Sequence, residues 1–398
     1  MTAARQHRNG VVAVVAPYYP PSMGGVQHYA ERLVEHLLAA GHHVLVITTG
    51  TTRWGWCTER RDRLAVVRLP VLLTVSNSPL HPLWPVMVAL LLRRYGVGTV
   101  ITHGPVPGLA DLAVALANRR EVVLTYHSGS MAKGLSPAVD GLLRWYERVV
   151  LPWEFGCATT VVAVSPVALG SDRANSVIIS PGVDLDRFTP PVVLPRPADP
   201  PTVLFVGRMD LTSRWKGVEV LLAAFARVRE ACPAAELRLV GSGDGLSELR
   251  AAAGRLGLGD AVTFVGLQRG RELVTEYRRA AVTVLPSLTA SESFGMTLVE
   301  AMACGCPVVG TLGTGAGYVI DDERTGLLVP PGDPGSLAAA VLRLVQNPSL
   351  RTRLGAEASR TAHERFGWDR SLAAWDAVIG PAQPPSRPTS PIAVRTAW

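Results

Sequence analysis

Two glutamates, Glu292 and Glu300, bracket the segment Ser293-Phe294-Gly295-Met296-Thr297-Leu298-Val299. The apolar run Val282-Thr283-Val284-Leu285, closed by Pro286-Ser287, reads as a buried strand, and Thr297 to Ala303 reads as a helix stopped by Gly305 and Pro307. Glu292 therefore falls on a loop after a strand and Glu300 in the first turn of a helix. Gly295 lets the backbone approach a ligand closely, and the first-turn amides of Met296 and Thr297 face an anion. A diphosphate flanked by two carboxylates that accept sugar hydroxyls fits this pattern. Arg208 and Lys216 lie on one loop after the run Val203-Leu204-Phe205-Val206. Two cations there suit a diphosphate leaving group, whose growing charge they would offset.

Other candidates carry a weaker signal and a blander competing use. Gly24-Gly25 open the first helical segment, where glycine lets amides reach an anion of the donor; an ordinary strand-to-helix turn is the competing use, and the place in the first loop, facing the cleft, favours the donor. His127 ends the run Val122 to Tyr126, and His103 follows Val100-Ile101-Thr102. Either can hydrogen-bond a sugar hydroxyl or assist a reacting centre, and either can be a structural histidine. Gly241-Ser242-Gly243-Asp244-Gly245 approaches a dinucleotide fingerprint, but Leu246 stands where its last glycine belongs. With Gly243, this loop fits the lining of a nucleotide base better than an NAD site. Asp184-Leu185-Asp186 has the form of a metal-diphosphate motif, but it lies far from the cation loop and reads as structural.

The elements that must position these residues form two alternating sets. In the first, strands at Val11 to Ala16, Val44 to Ile47, Thr99 to Thr102, Val122 to Tyr126 and Thr160 to Val164 accompany a helix from Val26 to Ala39. Gly41 ends that helix. The segment 190–201 is proline-dense and reads as a linker. A second set follows, with strands at Thr202 to Val206, Glu236 to Val240, Val262 to Val265 and Val282 to Leu285 and a helix at Val218 to Arg229. Near-continuous apolar strands separated by helices predict an α/β fold of two Rossmann-like parallel-sheet domains, 1–189 and 202–380, facing across a cleft. The segment 381–398 reads as a disordered tail.

Bulk properties exclude several classes. The 398 residues exceed one typical core, and no apolar run reaches the roughly 20 residues that cross a bilayer. The polar start Met1 to Gly10 lacks a secretory pattern, and the five cysteines form no C-x-x-C pair. The expectation is a reduced, cytoplasmic chain without a metal or other cofactor. The net charge of +7 comes from dispersed arginines without interleaved aromatics, which argues against nucleic acid. Leu83 to Arg94 and Leu142 to Arg148 have the composition of segments that dip into the inner face of a membrane, and equally of core helices.

Together these residues resemble family 4 glycosyltransferases, retaining enzymes of the GT-B fold, from Gly24-Gly25-Val26 to about Trp375. The family's E-x7-E motif matches Glu292 and Glu300, its phosphate-gripping pair Arg208 and Lys216, and its first-domain histidine His127. Ser180-Pro181-Gly182-Val183-Asp184 looks like the family's domain junction. The resemblance implies that Glu300 binds the donor ribose, while Glu292 and amides near Phe294 and Gly295 hold the transferred sugar. Here the Arg208-to-Lys216 loop is longer than is usual in the family, so Arg214 competes with Lys216 for the phosphate. The implied reaction moves a mannose- or glucose-type hexose from a GDP- or UDP-sugar to a hydroxyl of a glycan, glycolipid or small molecule. A non-catalytic nucleotide-sugar sensor or membrane scaffold is the competing reading. An intact set of charged site residues argues against it.

Overall fold

Valine-rich strands dominate both sheets of the computed structural model, which describes residues 10–22, 24–75, 78–134, 136–191 and 200–382. The first sheet has eight strands in the order 176–178, 160–163, 121–126, 97–104, 11–15, 44–49, 64–69 and 57–61. All pair in parallel except the last two, which form an antiparallel edge hairpin. Val11–Val15 is buried along its whole length because helices cover both faces.

One face carries α1 (Gly25–Ala39), which buries Tyr29, Leu33, Val34 and Leu37. The helical spacing of those four residues is what drives them to one side. The other face carries α2 (Trp84–Arg94), α3 (Leu109–Leu116) and α4 (Pro137–Cys157) around Trp84, Val88, Leu91, Leu109, Leu151 and Phe155. The second sheet has six parallel strands in the order 262–266, 236–240, 202–206, 282–285, 308–311 and 326–329. Its core also takes Val164, Ala168, Val183 and Phe188 from the end of the first half.

The last helix, Trp368–Ile379, leaves the second half and packs against α1. Trp375 donates its indole N–H to the Tyr29 hydroxyl at 2.7 Å, and His36 meets Asp376 at 2.6 Å. This return strap ties the two halves together on the side away from α4.

Three departures from the sequence pattern have local causes. The edge strand Cys57–Arg61 escapes a hydrophobic reading because it is exposed at every position. Strands 308–311 and 326–329 are four residues each, and each carries a glycine that shortens its apolar run. Leu211–Lys216 forms a 3-10 turn where only a loop was expected. Residues 192–199 of the proline-dense segment and 383–398 of the tail lie outside the described residues.

Candidate active site

The carboxyl ends of both sheets meet where Glu292 and Lys216 pair. Lys216 Nζ donates to Glu292 Oε2 at 2.7 Å, and both side chains are mostly buried. The 3-10 turn explains the contact. It ends at Gly217 with φ 72°, a conformation that favours glycine, and a Cβ there would lie 2.1 Å from the Pro286 carbonyl oxygen. The loop is thereby pressed onto the segment after strand 282–285, and Leu288 donates its amide to the Trp215 carbonyl at 2.7 Å. Lys216 also lies over the Trp215 ring at 4.6 Å. Arg214 turns outward to Glu219 at 2.7 Å, so the longer loop brings Lys216 to the carboxylate and leaves Arg214 on the surface.

Arg208 stays exposed beside Asp210, with 3.6 Å from Nε to Oδ2. Gly243, a candidate for the donor lining, packs closely against the Arg208 loop. A Cβ at Gly243 would lie 2.2 Å from the Met209 carbonyl carbon, so its hydrogen allows the 241–245 loop to support the Arg208 loop. Asp244 adds to that support by accepting the Leu211 amide at 2.7 Å.

Gly295, with φ 92°, caps the helix Met296–Ala303 in the left-handed conformation and turns its N-terminus toward the same loop. Glu300 follows one turn later and accepts the Tyr277 hydroxyl at 2.7 Å. Burial pushes its carboxyl up to about 7, against the opposing pull of Tyr277 and the Arg187 charge. Ser293 and Phe294, candidates for donor contact, commit their side chains to the protein. Ser293 Oγ donates to the His127 carbonyl at 2.6 Å, and Phe294 packs edge-on against Phe366. Both leave only main chain for a ligand.

The facing wall comes from the first half. His127 is half-buried and stacks on His103, with 3.0 Å between His103 Nδ1 and His127 Nε2. Burial holds both imidazoles well below their ordinary range, His103 at about 3, so the pair is neutral and one ring donates to the other. His103 Nε2 is buried without a partner among the described residues. An unpaired lone pair costs less than an unpaired N–H, which assigns the shared proton to His103 Nδ1. His127 then keeps its own proton on Nδ1, a donor for a substrate oxygen.

Lys133, six residues on, escaped the sequence reading. Its ammonium is lowered by burial and then by the charges of Arg208 and Lys216, so three cations converge. The only signal was a lysine in the loop after a strand end. Tyr277 was likewise unmarked. The loop after strand 11–15 reaches this region too, since the Arg208 charge acts on Tyr18. Gly24 and Gly25 begin α1 behind it, and a Cβ at Gly25 would meet nothing. Asp184 binds locally, accepting the Arg187 amide at 3.2 Å. Across the cleft Gly129 donates its amide to the Ala290 carbonyl at 3.0 Å and Ser291 Oγ to the Ser130 carbonyl at 2.9 Å.

Two parallel-sheet halves that meet at their strand ends, with convergent cations beside a helix N-terminus, define a glycosyltransferase of the GT-B class. Residues 23–187 match Glycosyltransferase Family 4, and residues 186–361 match Glycosyl transferases group 1. The chain belongs to family 4 of the glycosyltransferases. It is 32% identical over 367 residues to the phosphatidyl-myo-inositol mannosyltransferase of Mycolicibacterium smegmatis, covering 90% of each chain. It is 34% identical over 281 residues to the D-inositol 3-phosphate glycosyltransferase of Xylanimonas cellulosilytica, and spans 65% of that relative's length. Sucrose-phosphate synthase of Thermosynechococcus elongatus has the same architecture, with a TM-score of 0.77 at 27% identity over 93% of this chain and 98% of that one.

Proposed function

We propose that the protein transfers a hexose from a nucleoside diphosphate sugar to an acceptor hydroxyl, with retention of the anomeric configuration and without a metal. The observation that carries this reading is the Lys216–Glu292 pair at the mouth of the helix Met296–Ala303. In this reading the donor diphosphate takes Lys216 from Glu292. The freed carboxylate then accepts hydroxyls of the sugar. Lys216, Arg208 and Lys133 offset the charge that builds on the departing diphosphate, the task a metal performs in other glycosyltransferases. Glu300 accepts the ribose hydroxyls from its place beside Tyr277.

As the bond from the anomeric carbon to the diphosphate oxygen breaks, the acceptor oxygen bonds to the same face of that carbon. The acceptor proton passes to the leaving phosphate oxygen. His127 donates from Nδ1 to a sugar or acceptor oxygen. The inositol-phosphate glycosyltransferase and phosphatidylinositol mannosyltransferase among its relatives suggest a mannosyl donor and an inositol-bearing acceptor. We take GDP-mannose and phosphatidylinositol as the first pair to assay.

The test is thermal stability with UDP, GDP, ADP and NAD in excess, followed by product analysis. One nucleoside diphosphate should stabilise the protein by roughly 2.7 kcal/mol at about 100 times its dissociation constant. The Glu300→Ala variant should lose that response. Turnover should survive EDTA, and the product should keep the donor's anomeric configuration by proton NMR. An inverted product, or activity restored only by a divalent ion, would reject the mechanism.

A further inference from the structure

The solvent face of α4 is the wrong composition for water. With about 100° of turn per residue, Val139, Leu142, Trp145, Val149 and Trp153 fall within an arc of roughly 120°. All five are between 48% and 64% exposed. The other exposed positions of α4 are proline, alanine, glycine, one cysteine, and the arginines Arg144 and Arg148. Its three acids turn inward. Glu147 accepts the Ser130 hydroxyl and the Met131 amide, Asp140 accepts the Lys133 amide, and Glu154 accepts the Tyr146 hydroxyl. A solvated helix presents mixed charge on this side.

The neighbouring helix repeats the pattern. α2 exposes Val86 and Leu90, with Leu83 just before its start, and ends on the exposed pair Arg93-Arg94; it contains no acid at all. Both α2 and α4 contribute to the core on the same face of the first sheet, with α3 in contact with each. Their outward surfaces therefore share one side of the molecule. No helix among the described residues is long and apolar enough to cross a membrane, so the surface is built to lie on something. A protein groove would require only apolar complementarity. A fringe of arginines with no exposed acid, with Trp145 beside it at the polar–apolar border and Trp153 within the apolar arc, matches phosphate headgroups above an acyl layer.

We propose that α4 lies flat in the headgroup layer of an anionic lipid bilayer, with Trp145 and Trp153 at the acyl boundary and Arg144 and Arg148 on lipid phosphates. α2 supports the contact from beside it. The surface is separate from the charged cleft, so this proposal stands whether or not the donor reading does.

The experiment is co-sedimentation of the full chain with vesicles of phosphatidylcholine alone or mixed with phosphatidylglycerol. The protein should bind the mixed vesicles, release with salt, and shift its tryptophan emission to shorter wavelength. Arg144→Glu with Arg148→Glu should lower partitioning about tenfold or more. Trp145→Ser with Trp153→Ser should have a comparable effect and remove most of the emission shift. An unchanged melting temperature and an unchanged response to the nucleoside diphosphate would establish that these variants are folded. Should a variant melt early, quenching of wild-type emission by lipids brominated on the acyl chain decides instead. Absence of vesicle binding, binding that ignores the substitutions, or no quenching would overturn the proposal. So would a dimer in light scattering that the same substitutions dissolve, since the cover would then be a second copy.

Discussion

The two walls of the cleft are assembled on opposite plans. The second-half wall holds ions that a ligand can take over. Lys216 and Glu292 neutralise each other at 2.7 Å, and Arg208 stands exposed with a loose partner. The first-half wall holds neutral rings fixed by packing, with His127 on His103 and both edge-on to Tyr29. One wall is ready to exchange partners, and the other is ready to stay where it is. Lys216→Ala should break this contrast most severely, lowering turnover a hundredfold or more while the acceptor KM changes little. Lys133→Ala removes a cation that the first-half wall contributes. Steady-state kinetics should show a smaller loss, about tenfold, again in turnover.

The walls should also respond to pH with opposite sign. Burial raises Glu300 from 4.5 to about 7, so the folded protein holds that proton more tightly than the unfolded chain. Its favourable contribution is present below pH 4.5 and is lost as pH rises through 7. His103 is lowered from 6.5 to about 3, so its contribution is present above pH 6.5 and is lost as pH falls. Glu300→Gln should raise the melting temperature at pH 8 by an amount worth about 1 to 3 kcal/mol, while weakening nucleotide binding. His103→Phe should flatten the loss of stability between pH 6.5 and 4. Calorimetric melts across pH check both, and slopes of the same sign in the two variants would remove the distinction between the walls.

How much of this was legible follows the same division. The E-x7-E spacing, the cation loop and the parallel strands announce themselves because charge and apolar runs are local in sequence. Lys216 rather than Arg214 at the carboxylate depended on a 3-10 turn and on Gly217 against Pro286, contacts that no local pattern encodes. The resemblance offers main-chain amides near Phe294, and no local pattern tells that the side chains of Ser293 and Phe294 serve the other wall and the core. The histidine stack joins residues 24 apart on adjacent strands and became visible only once strands 97–104 and 121–126 paired. Segments 83–94 and 142–148 suited both a core helix and a membrane face. In the structure 83–94 buries one side of its helix and bares the other, whereas 142–148 reaches the core only through the partly buried Tyr146 and bares Leu142 and Trp145.

The smallest effect concerns what holds the walls together. Ser291 Oγ donates to the Ser130 carbonyl at 2.9 Å, Gly129 donates to Ala290, and Ser293 donates to His127. These bonds link the loop before Lys133 to the loop that carries Glu292, so they fix the distance between packed rings and exchangeable ions. Ser291→Ala deletes one hydroxyl without touching either wall's own packing. A partly buried hydrogen bond of this kind contributes about 1 kcal/mol. If closure of the cleft draws on it, the KM values of donor and acceptor should both rise roughly fivefold at nearly constant kcat and melting temperature. A fall in melting temperature with unchanged KM would mean that the walls are joined for stability alone. The return strap at Trp375 and Tyr29 would then be the element that sets their separation.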